Sequence, residues 1–534
     1  MSGPAGTSEP PNWPAGIEVS YAPFANWSDE TSVPGVWIAV PQQAQDVVTL
    51  ANWAAGAGFS MRALGHAHNW SPLMFGPAQD GSRVLLVDTG NLSGKTFEPG
   101  TPPRVTLGSG VSLDDATAFL EQQGDNGSTT APGHTFLNFP GPGDLSMGGI
   151  LAVGGHGTGL PVPGEPPLDG TLSNLVVAFT AVVSQADGTY TLQSFRRDEA
   201  PAAAFLVHLG RAFLTDVTLA VVPNYYLQVH NLYPPADTLF QPTGGASDQS
   251  LASLVGVYGR VEVIWFPFTD FPWVKAWERV EDRLEPQVEG PYNYPWTDDI
   301  SDLDSTIIAA SLHECPALTP YFLQGGCLLT QVKAPRDTVL NGTARNLLLY
   351  VKPTTLRYSM IGYALQVPVN RLQSAVNEFF TQFEAQLLAC ADRHQYPVNG
   401  PVEIRVTTID RTDGLGIDRP QQPTLSVCAP AGAAAEDAVV LWVDSLTFPG
   451  TPGSGEFYQT LENWMLNDWG AGYRYAIRPE WSKGWAYTAA GPWTNSALIK
   501  NVGNSYAGFQ AAADTLHRYD AAKLFSNPFL NQLL

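Results

Sequence analysis

Apolar and polar positions change period along this chain, and the changes mark its elements. Between Pro41 and Gly58, the residues Val47, Val48, Leu50, Ala51 and Ala54 fall on one side at helical spacing. A helix is predicted there, ending at Gly56 or Gly58. Phe59 to Leu64 reads as a strand that breaks at Gly65, and Val84 to Val87 as a short buried strand. Arg104 to Gly110 is a strand entering a tight turn. Leu113 to Leu120 is a helix that stops before Gly124, and Leu172 to Val183 a strand that turns at Gly188. Residues 1–35 are rich in proline and are expected to wrap the surface.

Beyond about residue 226 the strand period dominates. Arg260, Glu262, Ile264 and Phe266 share one face of an alternating run. Met360 to Val367, Val402 to Thr407 and Val439 to Val443 are further strands. Leu372, Val376, Phe379, Phe380, Phe383 and Leu387 recur at 4-3 spacing, which predicts an amphipathic helix with a core-facing stripe. The expected class is α+β: β/α alternation up to a boundary near Pro223-Asn224, then a large, mostly antiparallel sheet covered by helices.

Composition narrows the function. The 534 residues suffice for two or more structural units, and 44% hydrophobic content with 15 Trp predicts an ordered chain. A net charge of -23 argues against nucleic acid and against an anionic membrane surface. No apolar run approaches the ~18 residues of a membrane span. The small-residue lead Ser2 to Gly6 lacks the charged-then-apolar order of a signal peptide. With charge at only 14%, a secreted bacterial enzyme that has lost its signal segment is expected. Cys315, Cys327, Cys390 and Cys428 form no C-x-x-C. Both a Cys315–Cys327 loop closure and free buried thiols stand open.

Two stretches carry the chemistry. In Ser60 to Ser71, Gly65 lets backbone approach a ligand, and an extended chain would put His66 and His68 on the same side. By itself this stretch fits a turn with two satisfied imidazoles, a metal site short of ligands, or a cofactor loop. In Gly141 to Gly159, the glycine density suits either a nest of backbone amides for an anion or a tortuous loop. It is not the G-x-G-x-x-G of nicotinamide-binding folds.

Arg62-Ala63-Leu64-Gly65, with His68 three residues on, resembles the flavin-attachment loop of the vanillyl-alcohol-oxidase (PCMH-type) flavoenzymes. Gly148-Gly149 followed by Gly154-Gly155-His156-Gly157-Thr158-Gly159 resembles the pyrophosphate loop of the same family. Tyr519 to Leu530 resembles its C-terminal close. The resemblance spans essentially the whole chain. It implies an FAD-binding domain over 1–225, a substrate-binding cap over 226–488, and a return to the FAD-binding domain over 489–534. It implies FAD bonded covalently through its 8α-methyl to His68, with Arg62, Ala63, Leu64, Gly65, His66, Ala67 and Asn69 around it. His66 stands where relatives carry a small residue, and Asn69 where they carry a small hydroxyl residue. Backbone amides of Ser146, Met147, Gly148 and Gly149 would hold the pyrophosphate. Gly154, Gly155, His156, Gly157 and Thr158 would lie beside the flavin, and Leu214 near the adenine–ribose part. No metal is implied.

Four residues stand out for catalysis. Glu403 and Arg405 are two apart on a strand, so both point one way and should pair, whether on an exposed sheet face or in an active site. The E-x-R pair resembles that of alditol oxidases, which implies that Arg405 stabilises negative charge while Glu403 controls its position. Glu262 lies among bulky apolar residues. Burial is expected to raise its pKa and suit it to proton transfer, unless it is an edge-strand carboxylate paired with Arg260. Lys483 follows Glu480-Trp481-Ser482, a segment similar to the His-Trp-Gly-Lys of sugar and lactone oxidases, with the histidine missing. A cation there would assist dioxygen reduction; the alternative is a solvated loop lysine. Asp444 and Asn504 are weaker polar candidates.

Within the family the chain is most similar to the secreted bacterial cholesterol oxidases with covalent FAD. That resemblance implies oxidation of a sterol 3β-hydroxyl, dioxygen as acceptor with hydrogen peroxide formed, and Δ5-to-Δ4 isomerisation by a carboxylate, Glu262 or Glu403. It also implies a monomer in transient contact with membranes or lipid particles. The rivals are an alditol or sugar-lactone oxidase of the same fold, a dehydrogenase that excludes dioxygen, and a flavin-free secreted binding protein.

Overall fold

A computed structural model describes residues 9–77, 79–124, 131–163, 168, 170–241, 248–291, 300–350, 357–412, 415–431, 437–473 and 476–534. The lead Ser2 to Gly6 lies outside them. The described residues form three main sheets.

The first sheet has four strands. Ser60–Leu64 and Ser32–Val40 both run parallel to the central Val84–Asp88, and Glu18–Ala25 adds antiparallel at the edge. The last strand corrects the expectation that residues 1–35 merely wrap the surface. Pro23 and Pro34 hid the alternation, and both fall at a register shift between Ala22 and Phe24, where a bulge tolerates proline. The helix Ala44–Ala57 ends on Gly58 in the left-handed region, φ 72°, and buries Val47, Val48, Leu50, Ala51 and Ala54.

The second sheet is antiparallel and has five strands, with Phe213–Ala220 at its centre between Arg104–Gly108 and Val176–Ser184. The run from Leu172 is not strand throughout. Leu172–Leu175 is a 3-10 turn, held by the buried Arg197 guanidinium, which donates to the carbonyls of Asn174 at 3.1 Å and Val176 at 2.7 Å.

The third sheet has eight strands, all antiparallel, built from residues 226–280, 339–343, 359–368, 402–408, 438–447 and 477–479. The helix Leu372–Ala391 packs its stripe Leu372, Val376, Phe379, Phe380, Phe383 and Leu387 into the core that covers one face. The sheets are tied together by the second glycine loop, where the Gly159 amide donates to Val406 O at 2.7 Å. The chain end reaches back to the first sheet: Met61 N donates to Leu524 O at 2.8 Å, and Asn527 Nδ2 to Leu73 O at 3.1 Å.

All four cysteines are free; Cys315 is exposed and the other three are buried. Among the described residues no helix is long and apolar enough to cross a membrane. No group of three or more metal-ligating side chains forms among them.

Candidate active site

A cavity of about 320 Å³ opens where the three sheets converge. The histidine loop lies on one side, the glycine loop beneath it, and the uncovered face of the eight-stranded sheet opposite.

The histidine loop does not stay extended. Ala67 takes φ 50°, so the predicted same-side alternation of His66 and His68 fails. The turn is fastened by Trp27 N donating to Ala67 O at 3.0 Å. His66 is exposed, whereas His68 stacks on Trp27, with ring centroids 4.9 Å apart. Burial, with Lys483 and His66 nearby, pushes the His68 pKa down to about 4, so the imidazole is neutral at pH 7. Gly65, His66, Ala67, His68 and Asn69 all face the cavity, and so does Ala63. Leu64 does not; it packs toward Phe24 and Met74. Arg62 touches the cavity wall, but its guanidinium is spent as a strut. It donates to Gly210 O at 2.7 Å, to Leu73 O at 2.5 Å and to Phe525 O.

The glycine loop caps the helix Met147–Val153. Ser146, Gly148 and Gly149 line the cavity, but two of the four amides expected to hold an anion are already committed. Met147 N donates to Val111 O and Gly148 N to Ser109 O, each at 2.8 Å. Met147 also stands outside the cavity wall with its side chain in the core, so its amide is not available for the anion as expected. Gly155, His156, Gly157 and Thr158 line the cavity, as does Leu214. Gly154, at φ 104°, stands outside the wall, and its carbonyl accepts Ser173 N at 3.1 Å.

The sheet face supplies the charges, and strand register explains why they meet. Lys275, Glu262, Arg405 and Trp442 are direct neighbours across four adjacent strands. Glu403 and Asp444 are paired in the next row. Glu262 receives Lys275 Nζ at 3.0 Å on one oxygen and Arg405 Nε at 2.8 Å on the other. Arg405 also donates to Glu403 at 2.8 Å and lies 3.5 Å from Asp444. Burial pushes the Glu262 carboxyl up, but Lys275 and Arg405 outweigh it and hold the pKa at about 2. The expected raised pKa, and the pairing with Arg260, are therefore corrected: the strand is interior and two cations reach the carboxylate. Asp444, buried one row behind the wall, goes the other way. Desolvation dominates and pushes it up to about 8.

Lys483 is no solvated loop lysine. It is mostly buried, its Nζ stands over the Trp70 ring at 4.4 Å, and it lies 3.9 Å from Glu480. Glu480 lies 3.6 Å from His156 Nε2, and His156 stacks on Trp442 at 3.7 Å. Burial raises the Glu480 carboxyl, yet Lys483 and then His156 bring it down to about 2. Asn504 is exposed and away from the cavity.

A family model described as "Cholesterol oxidase, substrate-binding" matches residues 230–534, more than half of the chain. The chain belongs to the cholesterol oxidase family. Among solved structures, a solvent-stable cholesterol oxidase superposes with TM-score 0.92 at 36% identity, covering 98% of this chain and 100% of that one. The cholesterol oxidase of Brevibacterium sterolicum follows at TM-score 0.90 and 31% identity, covering 98% and 99%. A histidine-to-alanine mutant of the Brevibacterium sterolicum enzyme gives 0.89 and 31% over the same shares. No curated protein sequence matches the chain.

Cholesterol oxidases of this family use FAD, and the cavity fits one. Two buried polar atoms in its wall, Ser109 Oγ and His208 Nε2, have no hydrogen-bond partner among the described residues. His208 Nδ1 accepts the Gly210 amide at 3.2 Å, so Nε2 carries the proton and is a donor. Burial first, then Arg62, lowers the His208 pKa to about 3, which keeps the ring neutral. Unmatched polar atoms of this kind suit the ribose and phosphate oxygens of a dinucleotide.

Sequence reasoning missed His208, Ser109, Lys275 and Glu480 as site residues. Lys275 had a signal: it alternates with Trp273 and Trp277 on one strand face, where a lone cation among tryptophans needs a partner. Ser109 and His208 had none, because only the fold aims them at the cavity.

Proposed function

We propose that this protein is a cholesterol (3β-hydroxysterol) oxidase using FAD bonded to His68, with Δ5-to-Δ4 isomerisation in the same site. The observation that carries the reading is the juxtaposition of a neutral, half-buried His68 with a compact ion cluster on the facing sheet, in a wall that also carries Trp, Tyr and Met. Such a wall takes a rigid apolar alcohol better than a polyol. On this reading the cofactor belongs with residues 1–225 and the sterol with 226–488, while 489–534 returns to the first sheet.

When bound, FAD would supply the two-electron acceptor for the hydride of the sterol hydroxyl carbon, and both electrons, with that hydrogen and the hydroxyl proton, would end on dioxygen as hydrogen peroxide. The chain's residues do the rest. His68 is neutral, as bonding through a ring nitrogen requires. Arg405 offers a fixed cation to the oxygen on which negative charge develops. Glu262, pinned between two cations, is a permanent anion that holds Arg405 in place. Among the described residues Glu403 pairs with Arg405 alone, so it is the carboxylate better suited to move a proton between the sterol ring carbons. Lys483, beside His68 and over Trp70, places a cation where dioxygen is reduced. The low charge of the chain and the lipid origin of a sterol support action outside the cell on material extracted from lipid.

The test is an anaerobic titration of the purified protein with detergent-dispersed cholesterol. Bleaching of the visible flavin band is the expected result. A yellow protein that bleaches with polyols but not with cholesterol would replace the sterol by a sugar alcohol.

A further inference from the structure

The reading above brings the substrate from a lipid phase. We infer that the outward faces of the helices Asp302–Glu314 and Thr319–Lys333 dock on a zwitterionic lipid surface during sterol transfer.

These two successive helices are joined by the short turn Pro316–Leu318. Their inward residues Leu312, Leu323 and Cys327 belong to one apolar cluster with Trp70, Tyr358 and Met360, which line the cavity. The outward residues should then be polar, as on any soluble helix. They are not. Leu303 is 69% exposed, Ile307 54%, Tyr321 71%, Leu328 62% and Val332 73%, and Leu318 in the turn is exposed as well. Tyr321, Leu328 and Val332 recur at helical spacing and make one stripe.

Charge chooses the occupant. The charges of the two helices stand at their ends, Asp302, Asp304 and Glu314 on the first and Lys333 on the second, with none from Ser305 to His313 or from Thr319 to Val332. So long an exposed apolar stretch is unusual on an acidic chain that otherwise keeps itself in solution by repulsion. The net charge of -23 sets it against anionic lipid, and the one basic residue of the two helices, Lys333 at the end of the second, is too little to recruit it. A zwitterionic headgroup layer asks only for apolar side chains at shallow depth, with a tyrosine at the boundary. Because the opposite side of the same helices builds the apolar cluster at the cavity wall, lipid contact here lies next to the route of a sterol.

The experiment floats the holoenzyme with sterol-free phosphatidylcholine vesicles, for wild type and for the double variant Leu328→Glu, Val332→Glu. Both positions are exposed, so folding is not at risk. Wild type is expected to float and the variant at least tenfold less. Oxidation of cholesterol in vesicles should fall about tenfold in the variant, and the rate in detergent micelles should stay within twofold. A thiol-reactive environment-sensitive dye on the exposed Cys315 should shift to the blue when vesicles are added. A wild type that does not float, a variant that floats equally, or an unshifted dye overturns the inference. So does a wild-type dimer that the variant converts to a monomer without any flotation, which assigns the face to a second copy. The two readings fail separately. Flotation without sterol turnover retires the substrate, and micellar turnover without flotation retires the lipid contact.

Discussion

Lys275 Nζ lies 3.0 Å from Glu262 Oε2, inside the sheet and directly across the strand pair, while Arg405 holds the other carboxylate oxygen. Glu262 thus bridges the buried cation Lys275 and the partly buried Arg405, which Glu403 also engages. Lys275→Met should remove the buried cation at nearly constant volume and cost about 1.5–3 kcal/mol, because Arg405 still compensates the carboxylate. The pH sign follows from the depressed carboxyl. Its stabilising share is present above the ordinary carboxylate pKa and is lost as pH falls toward about 2. With Lys275 gone the depression shrinks, so the acid-unfolding midpoint, followed by circular dichroism, should move to higher pH.

Arg405→Ala should slow anaerobic flavin reduction more than tenfold, about 1.4 kcal/mol or more of transition-state stabilisation. Stopped-flow at saturating sterol measures it. A wild-type reduction rate would remove Arg405 from the chemistry.

Glu403→Gln should leave oxidation largely intact and let the 5-en-3-one accumulate, as read by the missing ultraviolet band of the conjugated product. If Glu262→Gln blocks isomerisation and Glu403→Gln does not, the proton carrier is Glu262.

His68→Ala should make the flavin extractable by acid. In that background, His208→Ala removes a donor from the cavity wall and should weaken FAD binding about fivefold, roughly 1 kcal/mol. Fluorescence titration of the apoprotein gives the number. A flavin still fixed after His68→Ala moves the linkage to His66.

Asp444 is held protonated by burial, with its pKa pushed up to about 8. Its share of stability is full below the ordinary carboxyl pKa and is lost as pH rises through about 8. Asn cannot ionise, so Asp444→Asn should gain in Tm relative to wild type between pH 5 and pH 9. Parallel curves would show that Asp444 does not titrate there.

Local pattern was enough for much of the protein. The strand Ser60–Leu64, the helix Ala44–Ala57 and the stripe of Leu372–Ala391 follow from periodicities that a short segment carries by itself. The two loops that meet at the cavity were legible because glycine spacing marks backbone that turns tightly and approaches closely. The Glu403–Arg405 pair was legible because a period of two sends both side chains one way. What the sequence could not determine depends on register and burial. Nothing local says that Glu262 faces Lys275 and Arg405, so burial alone suggested a raised pKa when two cations lower it. Nothing local says that Ala67 turns the loop and separates His66 from His68, or that Ser109 and His208 meet one cavity. An ionisable group takes its pKa from partners brought by distant strands, and only the tertiary structure decides which partners those are.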